Sequence, residues 1–263
     1  MFVRFDKEKD DYVLNDSSVD LLSYTSFPED ICTLAARTCY SDDEKLKGLY
    51  EDYISCDTED INILKNTLSS GHHSVVEHAS FTFLLKGVSR ALTHQLVRHR
   101  IASFSQQSQR YTTFDRRTYV IPDSILNDET EWAEENGPSW SDMHWTTKRV
   151  YDDAMAHIWG VYRTLIKHGV PPEDARYVLP NACTTNIVVT MNARELLHFF
   201  NLRCCNRAQW EIRSAAIKML DLCKKVAPAI FESAGPSCIT GPCPEGKKSC
   251  GQHKGKGFNS LND

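Results

Sequence analysis

No stretch of this 263-residue chain is apolar for long enough to cross a bilayer, and its opening Met-Phe-Val-Arg-Phe-Asp-Lys lacks the apolar core of a leader. Neither a membrane span nor a signal peptide is expected. There is no Gly-x-Gly-x-x-Gly run, which disfavours a Rossmann-type flavin or nicotinamide domain. The nearest approach to a phosphate loop, Gly241 to Lys248, ends on lysine where a magnesium-holding Ser or Thr is needed, and Pro242 and Pro244 weaken it further. Histidine and acid at 72 to 78 miss the inverted zinc-protease spacing, because three residues rather than two separate His73 from Glu77. On a helix that extra residue turns the side chain by about 100°. No internal repeat is present. Nor is there an excess of base, since 30 Lys and Arg face 35 Asp and Glu for a net charge of −5.

A composition of 41% hydrophobic and 25% charged residues is that of a globular protein, and the length allows one large domain or two small ones. Ten cysteines without an export signal favour reduced thiols and a cytoplasmic setting. Cys183, Cys204 and Cys205 have apolar neighbours and read as structural thiols rather than nucleophiles. After Gly235-Pro236 the composition turns to Gly, Lys and Cys, so residues 1–235 form the folded part and 236–263 a tail. Within that tail Cys238, Cys243, Cys250 and His253 could wrap a zinc ion, although the tight Cys-x2-Cys knuckle is missing. A flexible tail with incidental thiols is the other reading, and no metal is assigned.

Periodicity predicts helices after Pro28, over 57–70, over 91–96 leading to Arg98, over 142–168, over 192–203 and over 208–231. Strands are expected from Ser80 and over Thr184 to Met191. The acidic, Trp-containing stretch 123–147, broken by Gly137-Pro138, reads as an excursion from the surface. Mixed helices and strands in this order give an α+β fold.

Residues 98–110, Arg-His-Arg-Ile-Ala-Ser-Phe-Ser-Gln-Gln-Ser-Gln-Arg, carry too many hydrogen-bonding side chains to be buried. Guanidinium forks match phosphate oxygens, while hydroxyls and amides match sugar and base edges. From Lys86 to Arg117 the local charge is +6 within an acidic chain. A focused anion site is the implication.

Arg98-His99-Arg100, seven residues and then Ser108 resemble the signature of the flavin-dependent thymidylate synthases, the ThyX family. Three further blocks resemble it in the same order: His72-His73-Ser74-Val75-Val76-Glu77-His78, Ala175-Arg176-Tyr177-Val178-Leu179-Pro180, and Asn192-Ala193-Arg194-Glu195-Leu196-Leu197-His198 continuing to Glu211. The resemblance covers roughly residues 25–233. It implies reductive methylation of dUMP to dTMP, with methylenetetrahydrofolate as carbon donor, NADPH as reductant and FAD as hydride carrier. It also implies a homotetramer with active sites at subunit interfaces. The acidic chain as a whole argues against a nucleic-acid partner.

Carried over position by position, the resemblance places Gln95, Arg98, Ser108, Arg110 and Arg176 at dUMP. Ser74, Glu77, Arg98, His99, Arg100, Asn192, Arg194 and His198 fall at FAD. Arg203 falls where an arginine pairs with the uracil ring and favours ionisation at N3, a role suited to a permanently charged, planar group. Ser105-Gln106 stands where the family often has Asn-Glu; the Gln106 amide can bond a ribose or a flavin group but cannot act as a carboxylate. His198 stands where some members have Asn.

Two other readings compete. Ser108 as a nucleophile would need a positioned base, for which His99 is a candidate. A single-stranded nucleic-acid binder would use Arg98, Arg100, Arg110, Arg116 and Arg117, with Phe104, Tyr111, Phe114 and Tyr119 for stacking.

Overall fold

The computed structural model describes residues 11–13, 17–42, 58–128, 130–132 and 145–252. They divide between two compact units through which the chain passes more than once. Helices and sheet occur together, so the fold is α+β.

One unit draws on Ser18–Lys86, His94–Ser105 and Ile187–Asp263. It holds most of a four-stranded sheet in the order β2-β3-β8-β4, formed by β2 (Ser18–Tyr24), β3 (Ser80–Ser89), β8 (Thr184–Asn192) and β4 (Ala102–Gln106). β2 and β3 are antiparallel, with Leu21 opposite Phe83. Strand geometry sends alternate side chains to opposite faces. Phe81, Phe83 and Leu85 of β3, and Ile187, Val189 and Met191 of β8, are accordingly buried at every second position. Phe231 meets Phe81 edge-on at 5.4 Å and Phe200 at 5.9 Å, which ties the helix Ala193–Arg203 and the short helix Pro228–Phe231 to that apolar face.

The other unit comprises Met1–Ser17, Gly87–Thr93 and Gln106–Asn186. Its core lines the long helix Thr147–Lys167, from which Met155, Trp159 and Tyr162 project at helical spacing onto Phe114, Tyr119, Ile121 and Cys183. Polar tips inside this core are bonded: Trp159 Nε1 donates to Arg116 O at 3.1 Å, and Tyr119 Oη to Asp152 at 2.6 Å. Two small pairings complete the unit, parallel β1 (Asp11–Val13) with β5 (Arg117–Tyr119) and antiparallel β6 (Glu131–Trp132) with β7 (Trp145–Thr146).

Several expectations are refined by these elements. The polar segment 98–110 contains strand β4 at the edge of the sheet, where no side chain is fully buried and the hydrogen-bonding groups keep access to solvent. The helix expected from 142 starts at Thr147, because the Thr146 hydroxyl accepts from the Arg149 amide and caps it there. The helix expected over 208–231 is two, Trp210–Val226 and Pro228–Phe231. Pro228 lacks the amide hydrogen needed to continue, and Ala227 leaves helical dihedrals. The excursion after Asp123 begins with the turn of helix Asp123–Leu126 and the β6–β7 pair, and 133–144 lie outside the described residues.

Candidate active site

Two backbone bonds after the helix Arg90–Leu96 decide where the first basic side chains go: the Arg98 amide donates to Gln95 O and the His99 amide to Leu96 O. Arg98 and Arg100 are left exposed, while His99 between them is 4% exposed. Neither exposed arginine forms an ion pair with a described residue. In the same unit, Asn192 caps the helix Ala193–Arg203 by accepting from the Glu195 amide at 2.9 Å. Glu195, Phe199 and Arg203 then recur every four residues and share one face of that helix.

His99 packs into this face. Its Nδ1 lies 3.0 Å from Glu195 Oε1, its Nε2 lies 3.1 Å from Arg203 Nε, and its ring meets Phe199 edge-on at 4.9 Å. Arginine Nε can only donate, so His99 Nε2 must be the bare acceptor and Nδ1 must carry the proton that goes to Glu195. Burial pulls the His99 pKa below its ordinary value; Arg203 and His198 push the same way, and the Glu195 bond opposes them. The ring is thus neutral at neutral pH. Burial also lowers the Arg203 pKa, from a starting value high enough for the group to stay charged. Donor atoms of His99, Glu195 and His198 fall within 4.8 Å of one another. Both ring nitrogens of His99 are nevertheless engaged, one by a guanidinium, which makes the group a hydrogen-bonded chain and a poor cation site.

Ser74 and Glu77 are exposed on the 3-10 turn His73–His78, which packs beside the same helix; Glu77 pairs with Arg194. His198 is exposed and Gln95 half-buried. Ten expected residues (Ser74, Glu77, Gln95, Arg98, His99, Arg100, Asn192, Arg194, His198 and Arg203) therefore share this unit.

The remaining expected residues belong to the other unit. Arg110 Nε donates to Glu173 Oε2 at 2.9 Å, and Arg176 Nε donates to Glu173 O at 3.0 Å, so one residue gathers both arginines. Ser108 Oγ accepts from the Arg110 amide at 3.1 Å. No ring nitrogen of His99 is left to activate Ser108, whose oxygen is turned to its own loop. The Gln106 amide donates to Thr93 Oγ1 at 3.0 Å and Thr185 Oγ1 at 3.4 Å. A carboxylate at this position could only accept from those hydroxyls, so the Gln in place of Glu reverses the bond and keeps the contact.

Thiol chemistry and nucleic-acid stacking both fare badly. Burial pushes the Cys183 thiol up to about 11 and Cys204 up to about 12, so neither supplies a thiolate at neutral pH. Phe114 and Tyr119 are core residues and present no face to a base. In the tail, the Arg207 guanidinium holds Lys248 O at 2.6 Å and Ser249 O at 3.0 Å, so 248–249 are anchored where a loose tail was expected. Cys205, Cys238 and Cys243 line a cavity of about 260 Å³ that Arg203 and Arg207 also border. His253 lies outside the described residues, and among those described the tail cysteines do not bring three donor atoms within 4.8 Å.

Sequence reasoning missed Glu195 and Glu173. Glu195 stood at the N3 position of a helix, where an acid is expected for capping alone. An acid flanked by Ala193, Leu196 and Phe199 on a buried face was the available signal. Glu173 sat in a Pro-Pro-Glu-Asp turn and gave none.

Residues 20–229 match the family described as thymidylate synthase complementing protein. Over 237 residues the chain is 51% identical to a flavin-dependent thymidylate synthase of Geobacter sulfurreducens, covering 89% of this chain and 94% of the relative. The chain belongs to the flavin-dependent thymidylate synthase family. A second family member, from Clostridium tetani, is 46% identical over 244 residues, 89% of this chain and 93% of its own. A solved UMP/dUMP methylase from Streptomyces cacaoi, bound with 5-Br dUMP, shares the fold at a TM-score of 0.67 and 24% identity, covering 84% of this chain and 95% of that one. All four motif blocks of the thymidylate synthase signature lie inside the matched span, and the Cys-bearing tail lies beyond it.

Proposed function

We propose that Arg203, held edge-on by the buried His99, is the group that activates the pyrimidine when this flavin-dependent thymidylate synthase methylates dUMP to dTMP. The single observation behind the reading is the direction of the Arg203 bond: Nε is engaged by His99, which leaves the two terminal nitrogens of the fork for a ligand. Charge at that fork favours the N3-deprotonated ring and so raises the electron density at C5, the carbon that attacks the one-carbon unit of methylenetetrahydrofolate.

The donor set fits a flavin dinucleotide. Arg98 and Arg100 are exposed guanidinium groups without a carboxylate partner among the described residues, Arg194 is exposed beside Glu77, and Ser74 and His198 offer polar groups along the same helix and turn. Guanidinium forks of this kind suit the anionic diphosphate of FAD. Bound FAD, reduced by NADPH, supplies the hydride that completes the methyl group. His99 enters this reading through Arg203, and Asn192 by starting the helix that carries Arg194, His198 and Arg203.

Arg110 and Arg176 serve the phosphate of dUMP, with Ser108 and Gln106 beside them. Their present partner is weak: the Arg110–Glu173 pair is about half exposed at both ends, and such pairs contribute little. A phosphate dianion can therefore take over from Glu173 at small cost. Gln95 and Arg98 complete the nucleotide contacts.

Assembly as a homotetramer fits the large apolar side chains left exposed on each unit, among them Ile101 at 67% and Tyr177 at 84%. No helix among the described residues is long and apolar enough to cross a membrane.

Replacing Arg203 with Ala tests the reading. The variant is expected to bind FAD normally and to lose dTMP formation by about a hundredfold or more, the scale seen when a charge-stabilising donor is removed. Wild-type turnover in that variant would end it.

A further inference from the structure

We infer that Glu195 is a positioning residue: by accepting from His99 Nδ1–H, it keeps His99 Nε2 bare, and that bare nitrogen holds the Arg203 guanidinium in its working orientation. The inference rests on the reading of Arg203 given above.

Each link has only one possible direction. Arg203 Nε has a proton and no lone pair available, so its partner must be an acceptor. A neutral imidazole has one acceptor nitrogen, and using Nε2 for Arg203 forces the proton onto Nδ1. That Nδ1–H is buried and needs an acceptor of its own. Glu195 Oε1 is the acceptor, 3.0 Å away on a carboxylate that is 7% exposed. Isolated imidazole side chains prefer the opposite tautomer, with the proton on Nε2. Without Glu195 the ring would revert to it and present an N–H to the N–H of Arg203. Donor would then face donor, and the guanidinium would turn away.

Backbone geometry holds Glu195 in place independently of His99. The Asn192 cap accepts from the Glu195 amide at 2.9 Å, and the Ala193 amide donates to Ala79 O at 2.7 Å. The first helical turn is therefore fixed before the carboxylate is used. Glu195 acts on Arg203 through His99, whose two ring nitrogens bond one to each. Among the described residues, the charged and titratable groups acting on His99 are Glu195, Arg203 and His198, all on the helix Ala193–Arg203.

A test combines Glu195→Leu, Glu195→Gln and Arg203→Ala in the FAD-loaded protein, with His99 followed by ¹⁵N NMR on histidine-labelled material. Glu195→Leu is expected to move the His99 proton to Nε2 and to lower kcat by about tenfold or more while FAD content is unchanged. Glu195→Gln retains a carbonyl oxygen for Nδ1–H, so it should preserve the tautomer and recover most of the rate. It should also shift the acid limb of the kcat profile to lower pH, because the carboxylate it removes raises the His99 pKa. Protonation of His99 makes Nε2 a donor, which is why the rate falls on the acid side. An Nδ1–H tautomer and wild-type kcat in Glu195→Leu, with Arg203→Ala inactive, overturn the positioning role alone. Wild-type dTMP formation by Arg203→Ala overturns the catalytic reading instead, whatever Glu195 does.

Discussion

The carboxylate of Glu173 occupies Arg110 and its backbone carbonyl occupies Arg176, and the consequence can be measured one residue at a time. Arg110→Ala or Arg176→Ala should raise the Kd of dUMP by the loss of a charge-assisted bond, about 1.5–3 kcal/mol. Deoxyuridine, which lacks the phosphate, should separate variant from wild type far less. Equal losses for the two ligands would move both arginines to a structural role, with Glu173 as their true partner. At this scale the sequence was informative about which side chains matter and silent about their partners. Arg203 could be picked out by its motif position, yet its bond to His99 spans 104 residues and leaves no local pattern. Glu195 was hidden for the opposite reason, since its helical position already had an ordinary explanation.

Helix Ala193–Arg203 is the element on which the site depends, and its start is set by Asn192. The Asn192 side chain spends its carbonyl on the Glu195 amide, so its first effect should be on stability. Asn192→Ala is expected to cost about 1 kcal/mol in chemical denaturation, the usual loss on removing an N-cap. Its FAD affinity should change little; a loss of flavin in a variant of unchanged stability would make Asn192 a direct ligand after all. Most elements were readable from periodicity, including the helix Thr58–Ser69 and strand β8, because their apolar residues follow a single period. Errors came where chain punctuation overrode the pattern. Pro228 broke one predicted helix, the Thr146 cap delayed another, and β4 formed within a segment whose polar residues masked the alternation of an edge strand.

Across the whole molecule, an acidic chain concentrates base in one stretch and divides the expected contacts between two compact units, one carrying Arg203 and the other Arg110 and Arg176. Composition and length could announce neither the two units nor the repeated passage of the chain between them, because those follow from long-range pairing. The tail was underestimated for the same reason: its anchor, Arg207, lies 41 residues before Lys248. The central claim is that this chain methylates dUMP with electrons passed through FAD, and the absorbance of the purified protein under anaerobic conditions tests it most directly. An oxidised-flavin spectrum should be present, should bleach on addition of NADPH, and should return only when dUMP and methylenetetrahydrofolate are both added, with dTMP formed in step. A protein without flavin absorbance after loading with FAD, or a reduced flavin that stays bleached with both substrates present, would contradict it.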